Sequence, residues 1–217
     1  MRNKNRKWLA IAISSLATFF AWTVLLRTVD VRAIGPDGTS VGFATFNELF
    51  SDLIGVRMSL YVVTDWLGVI PIFVALCFAV VGCVQLVQRK SFLKVDRSIV
   101  ALGIFYVVVV AVYVFFENVI INYRPILIDG YLEASYPSST TMLVMCVMPT
   151  ALIQLRSRIK NITFRKIVAF SIIFFIGFMV IGRVLSGVHW ISDIIGGAMF
   201  STGIVALYNA FGRFELK

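Results

Sequence analysis

Histidine is almost missing from this 217-residue chain: His189 is the only one. With just three cysteines beside it, a zinc or di-metal centre is not expected, since such a site needs several ligand side chains. Cys77, Cys83 and Cys146 all fall in apolar runs, which excludes a disulfide framework and predicts buried thiols. Charge is scarce as well. Only 14% of residues are charged, against about a quarter in soluble domains, so a water-soluble fold is excluded. No repeat, low-complexity tract or second domain interrupts residues 1–217, and one domain is expected.

What the chain has in excess is apolar sequence: 59% of residues, with a mean hydropathy of +0.92. Apolar runs long enough to cross a bilayer predict an all-α integral membrane bundle of six helices. The spans are expected at about 8–26, 66–86, 99–121, 141–155, 167–184 and 190–211, with a kink at Pro71. The first run is too long for a signal-peptide core and lacks a small-residue cleavage site, so it is expected to be retained. Residues 27–61 form the longest connection. Within it Phe46, Leu49, Phe50, Leu53 and Ile54 recur at helical spacing, Thr45 and Glu48 have capping-box spacing, and Gly55 suits the stop. That amphipathic helix is expected to close the bundle, the alternative being a position in the bilayer surface beside a lipid path.

The net charge of +9 would suit nucleic acid, but its distribution points to a membrane instead. Fifteen of the twenty Lys and Arg residues fall at the termini and in two loops, around 89–97 and 156–166. The other side holds Arg27, Arg32, Arg57, Arg124 and Arg183. The positive-inside rule therefore predicts both termini in the cytoplasm, with Trp66 and Trp190 as anchors at the outer boundary. An Asn161–Thr163 sequon then falls on the cytoplasmic side and is discounted.

Chemistry-bearing residues gather on the opposite side, in three segments. The third of these runs R-V-L-S-G-V-H-W-I-S-D from Arg183 to Asp193. Asp193 follows His189 at i+4, which on a helix puts the two on one face. The carboxylate would hold one ring nitrogen and leave the other free to attack or take a proton. A chance pairing at the wet end of a membrane helix is the bland alternative. The second segment, Y-P-S-S-T-T from Tyr136, opens a span, where free amides and the helix dipole favour an anion. An ordinary Ser138 N-cap is the alternative there. The first segment, E-N-V-I-I-N-Y-R-P, carries Arg124 and an expected buried acid, Glu117, itself a functional candidate inside a membrane. Two arginine forks, hydroxyls and a His–Asp pair on one side point to a phosphate site.

In order and spacing these segments resemble the signature of the type 2 phosphatidic acid phosphatase superfamily, which includes bacterial lipid phosphatases and shares its core with vanadium haloperoxidases. That pattern reads K-x6-R-P, then P-S-G-H, then S-R-x5-H-x3-D. Arg124-Pro125, Pro137-Ser138 and the Arg183, His189 and Asp193 set match it. The resemblance implies that Arg124, Arg183, Ser138, Ser139 and Thr140 surround a phosphate. His189 would form a phosphohistidine supported by Asp193, with no metal or cofactor. Four positions depart from the pattern. Glu117 stands for the lysine, Ser139 for the glycine, Thr140 for the proton-donating histidine and Gly182 for the serine.

A positioned acid is worth about 10²–10⁴-fold, so the loss at Thr140 leaves three readings open. The substrate is a lipid diphosphate, such as undecaprenyl pyrophosphate, whose phosphate leaving group needs little protonation. Alternatively, Glu117 donates the proton, its pKa raised by burial. In the third reading the protein binds or moves phospholipid headgroups without turnover. In each the partners are a phosphorylated lipid and the bilayer.

Overall fold

A computed structural model describes residues 2–211; Met1 and residues 212–217, including Arg213, Glu215 and Lys217 of the charge count, lie outside the described residues. The described chain forms α1 (Arg2–Leu26), α2 (Ala44–Ile54), α3 (Met58–Leu67), α4 (Val69–Arg89), α5 (Arg97–Asn118), α6 (Ser139–Arg158), α7 (Ile162–Ser186) and α8 (Ile191–Phe211). Six stretches are long and apolar enough to cross a membrane, α3 and α4 together making one of 32 residues.

That second stretch starts eight residues before the expected position. Thr64 and Asp65 interrupt the apolar run in the sequence, but the helix absorbs both. Thr64 Oγ1 donates back into its own helix, to Leu60 O at 2.8 Å and Tyr61 O at 3.0 Å, and Asp65 lies beside Arg183. The break falls at Gly68, next to Leu67, the i−4 residue of Pro71, whose carbonyl loses its partner because proline has no N–H. α6 and α7 also outrun the expected spans, since their ends are polar (Ser139, Thr140, Arg156 and Arg158 in α6; Thr163, Arg165, Lys166 and Ser186 in α7). α5 stops at Asn118, three residues early.

α6 and α8 form the centre. Buried residues make up 56% and 61% of their apolar windows, against 6–22% in the other four stretches. Leu102, Phe105 and Val109 of α5 meet Met142 and Cys146 of α6 and Phe200, Ile204 and Tyr208 of α8 in one cluster. Val144, Met148 and Leu152 on another face of α6 meet Ile172 and Met179 of α7. The outer helices expose large apolar side chains such as Phe73, Val80, Val107 and Phe170, as a surface solvated by lipid does. Cys77 and Cys83 belong to that exposed surface; only Cys146 is buried, contrary to the expectation for all three.

Three further expectations are corrected. α2 has no capping box: its N-cap is Phe43, and Asp30 Oδ2 accepts the Thr45 amide at 2.6 Å while Arg32 bridges Thr45 and Glu48. The apolar stripe of α2 does not face the bundle as a unit. Phe46, Leu49 and Leu53 are exposed, and the packed face centres on buried Ala44 and Asn47. Trp190 is buried, with Nε1 donating to Tyr123 O at 2.8 Å, so it is no boundary anchor, whereas Trp66 is 75% exposed.

The starts of α6 and α8 and the ends of α5 and α7 share one end of the bundle with α2 and α3. Gly187 ends α7 with φ +68, and a Cβ there would lie 2.1 Å from Gly55 O. Both the turn and the passage of the α2–α3 connection beside it need glycine. Gly187→Ala is therefore expected to cost about 1–3 kcal/mol in backbone strain before the clash is counted. Gly103, helical with open space around it, should accept alanine without loss. Thermal unfolding of both variants in detergent checks this, and equal midpoints would refute it.

Candidate active site

Residues 119–138 run from α5 to α6 as a narrow hairpin. Arg124 N donates to Glu133 O at 3.0 Å and Ser135 N to Asn122 O at 2.9 Å, with bridges at Tyr123–Ala134 and Ile128–Tyr131. The hairpin carries Arg124 on one arm and Ser135 on the other. The stretch that follows is locked against α1 and α8. Tyr136 OH pairs with Thr23 Oγ1 at 2.6 Å, and a Cβ on Gly196 would lie 2.4 Å from the Tyr136 ring. Ser138 N donates to Asp193 O at 3.1 Å. The amides of Ser139, Thr140 and Thr141 precede the first helical bond of α6, Met142 N to Ser138 O at 2.9 Å, and have no carbonyl within that helix.

Around this helix start the structure gathers Arg124, Ser138, Arg183, His189 and Asp193, all buried. Arg183 is 1% exposed. Its Nη1 donates to Thr64 Oγ1 at 3.3 Å, and its Nη2 lies 3.4 Å from His189 Nε2. Gly182 allows this: a Cβ at that position would sit 2.7 Å from Thr64 Cγ2. Both guanidinium groups lie over the ring of Tyr61, at 5.1 Å for Arg183 and 5.6 Å for Arg124, within cation–π range. Their charges are countered at the rim by two part-exposed acids. Glu133 Oε2 is 3.0 Å from Arg124 Nε, without hydrogen-bond alignment, and Asp65 Oδ1 is 3.8 Å from Arg183 Nη2. Arg124 Nη1, Arg183 Nε, Ser138 Oγ and Thr141 Oγ1 are buried with no partner in the protein. Leaving such a group unpaired costs about 1–3 kcal/mol, a cost that an oxygen-rich anion seated among them would relieve.

His189 and Asp193 do not share a helical face. His189 precedes α8, and Ser135 stands between the two side chains. Its Oγ is 2.9 Å from His189 Nδ1 and donates to Asp193 Oδ2 at 2.6 Å. Asp193 also accepts Asn122 Nδ2 at 3.1 Å, the Trp190 amide at 3.2 Å and Ser192 Oγ at 3.3 Å. Asn47 of α2 supports this from behind, bonding Ser192 Oγ at 2.9 Å and its amide at 3.2 Å. Ser138 is no ordinary N-cap, since its hydroxyl makes no capping bond.

One candidate sits differently from expectation. Glu117 is exposed where burial was expected, because α5 turns that side of its last turn outward. Among the described residues it forms no ion pair with either arginine. It lines a small open pocket with Tyr113, Ser135 and Ser139, so Ser139 too borders that pocket. Thr140 is buried near Gly68. Motif spacing gave no hint of Ser135, Asn122, Tyr61, Thr64 or Asn47; the run of hydroxyl and amide side chains in otherwise apolar surroundings was the available signal.

Fold and site together define a membrane-embedded helical bundle with a buried, arginine-lined histidine at one end. The family model described as PAP2 superfamily matches residues 101–215, covering α5 to α8, and the chain belongs to that superfamily. Among solved structures it is similar to the transmembrane PAP2-type phosphatidylglycerolphosphate phosphatase from Bacillus subtilis. The TM-score is 0.58 and the identity 20%, over 92% of this chain and 94% of that one. That likeness shows the fold. No curated protein matches the chain in sequence.

Burial, then the charges of Arg124 and Arg183, hold the His189 pKa well below its ordinary value, against an opposing contribution from the Ser135 backbone. The sign is clear: a lowered pKa keeps the imidazole neutral as pH falls, so the lone pair survives into acid. An NMR titration of this single histidine should give a midpoint below about 6.5, and Arg183→Met should move it upward. A midpoint at or above 6.5 would contradict the geometry.

Proposed function

We propose that the protein is a membrane lipid phosphatase working through a phosphohistidine at His189. The observation that carries this is the direction of Nε2, which meets Arg183 while Nδ1 is engaged from behind by Ser135, whose hydroxyl is held in turn by Asp193. A phosphate seated among Arg124, Arg183, Ser138, Thr141 and the first amides of α6 would present phosphorus to Nε2. The nitrogen lone pair forms the P–N bond as the P–O bond to the lipid breaks, and the leaving oxygen takes the electron pair. Water then attacks phosphorus, releases phosphate and restores the imidazole. Guanidinium groups and amides aimed at the phosphoryl oxygens stabilise the charge that develops there.

The preferred substrate is a lipid diphosphate of the undecaprenyl pyrophosphate type. Thr140, with no group titrating near neutrality, occupies the place where the family pattern has its proton donor. A leaving lipid phosphate, whose second pKa is about 6, departs without one. Glu117 is the second reading, because it shares a pocket with Ser135 and Ser139 at the margin of the site. The distribution of Lys and Arg supports cytoplasmic termini in the plasma membrane, which puts the site on the outer face.

Purified protein offered polyprenyl pyrophosphate and phosphatidic acid in mixed micelles is expected to release phosphate from the diphosphate. Arg183→Ala should lower kcat/KM by about 10²–10³-fold, the loss typical of one transition-state donor. Collapse of turnover in Glu117→Gln would favour the second reading. No release from either lipid, with binding that still depends on Arg183, would replace the enzyme with a headgroup-binding or transport protein.

A further inference from the structure

We propose that Ser135 is a positioning residue that fixes the tautomer of His189, so that Asp193 acts on the imidazole only through it. The inference rests on His189 being the nucleophile, as above, and deepens that reading.

A serine hydroxyl has one proton. Asp193 Oδ2, 2.6 Å away, takes it as a carboxylate that only accepts, leaving the Oγ lone pairs turned to His189 Nδ1 at 2.9 Å. Nδ1 must then carry the ring proton, and Nε2 the free lone pair. The other side of the ring agrees with this assignment at longer range, without fixing it alone. Arg183 Nη2 has only protons to offer and stands 3.4 Å from Nε2. The opposite tautomer would set N–H against N–H there, and would take from Asp193 its closest donor. Both faces of the imidazole therefore select the form whose Nε2 can attack.

Ser135 is held for this task. It is 2% exposed, its amide is bonded to Asn122 O, and Asn122 Nδ2 itself donates to Asp193. The next residue, Tyr136, is anchored to Thr23. Asp193 keeps three other donors if Ser135 is removed, so the loss falls on the imidazole and not on the carboxylate. As the P–N bond forms, the positive charge gained by the ring is met along Nδ1–H, Oγ–H and Oδ2, with no proton transferred.

The single histidine makes the test direct. Protein carrying ¹⁵N-labelled histidine in lipid gives one pair of ring nitrogen signals with nothing to assign. At neutral pH wild type should show a protonated Nδ1 and a bare Nε2. Ser135→Ala should mix the tautomers and lower kcat on the active lipid by about 10–100-fold, the loss seen when a histidine ligand loses its outer partner, with KM little changed. Ser135→Thr, which keeps the hydroxyl, should retain the wild-type tautomer. Asp193→Asn added to Ser135→Ala should cost little more than Ser135→Ala alone. A protonated Nε2 in wild type, an unmoved tautomer in Ser135→Ala, or fully additive losses would each overturn the relay. The wild-type spectrum decides even if a variant fails to fold. A correct tautomer with no phosphate release from any lipid would defeat the phosphatase reading alone.

Discussion

Two guanidinium groups held against one tyrosine ring are the constraint from which the rest of this structure follows. Arg124 and Arg183 repel each other, and both are buried, where charges are costly unless paired. Tyr61 offers each a ring face, while Glu133 and Asp65 offer opposite charge at the rim. None of these partners saturates them, since several arginine N–H groups stay unmatched. The pair is tolerable without a ligand and better satisfied with one. That is the condition a phosphate cradle must meet.

Holding this pair explains features that otherwise look incidental. α3 must reach the end of α7 to deliver Tyr61 and Thr64, and Gly182 lets the two helices approach. The departure from serine at Gly182, odd beside the family pattern, is what makes room for Thr64. Helix polarity completes the arrangement. α6 and α8, the most enclosed helices, both begin at this end, so their amide-rich termini add positive potential where the arginines already stand. The matched family region spans α5 to α8, yet Asn47, Tyr61, Thr64 and Asp65 come from outside it.

Much of this was legible from residues alone, and the failures are instructive. Six apolar stretches, the shared end of the three motif segments, and the buried Arg124, Ser138, Arg183, His189 and Asp193 follow from hydropathy and spacing. Glu117 was misplaced because spacing fixes a residue along a helix but not which side of the helix turns inward. Helix periodicity was applied one turn too early at His189, which lies in the turn before α8, and that error hid Ser135. Trp190 showed the same limit from another side: a tryptophan near a span boundary reads as an interfacial anchor until a carbonyl such as Tyr123 O is found for its N–H. Tyr61 closed the stretch read as connection and Thr64 fell just short of the expected span, since Thr64 and Asp65 diluted the apolar run.

The charge balance of the site bears on what it can attract. Resemblance to the family would supply a lysine and a second histidine; here those places hold Glu117 and Thr140. Two rim carboxylates offset the formal charge of the two arginines and leave the helix termini to supply the remaining positive potential. Selection then falls largely to short-range donors: Arg124 Nη1, Arg183 Nε, the Ser138 and Thr141 hydroxyls and the first amides of α6. Such donors distinguish a tetrahedral phosphoryl group by fit and reward charge that develops during transfer more than charge already present. On the reading proposed above, such a site would gain most from a substrate whose leaving group carries its own negative charge away, because neither a lysine at 117 nor a histidine at 140 stands ready to receive it.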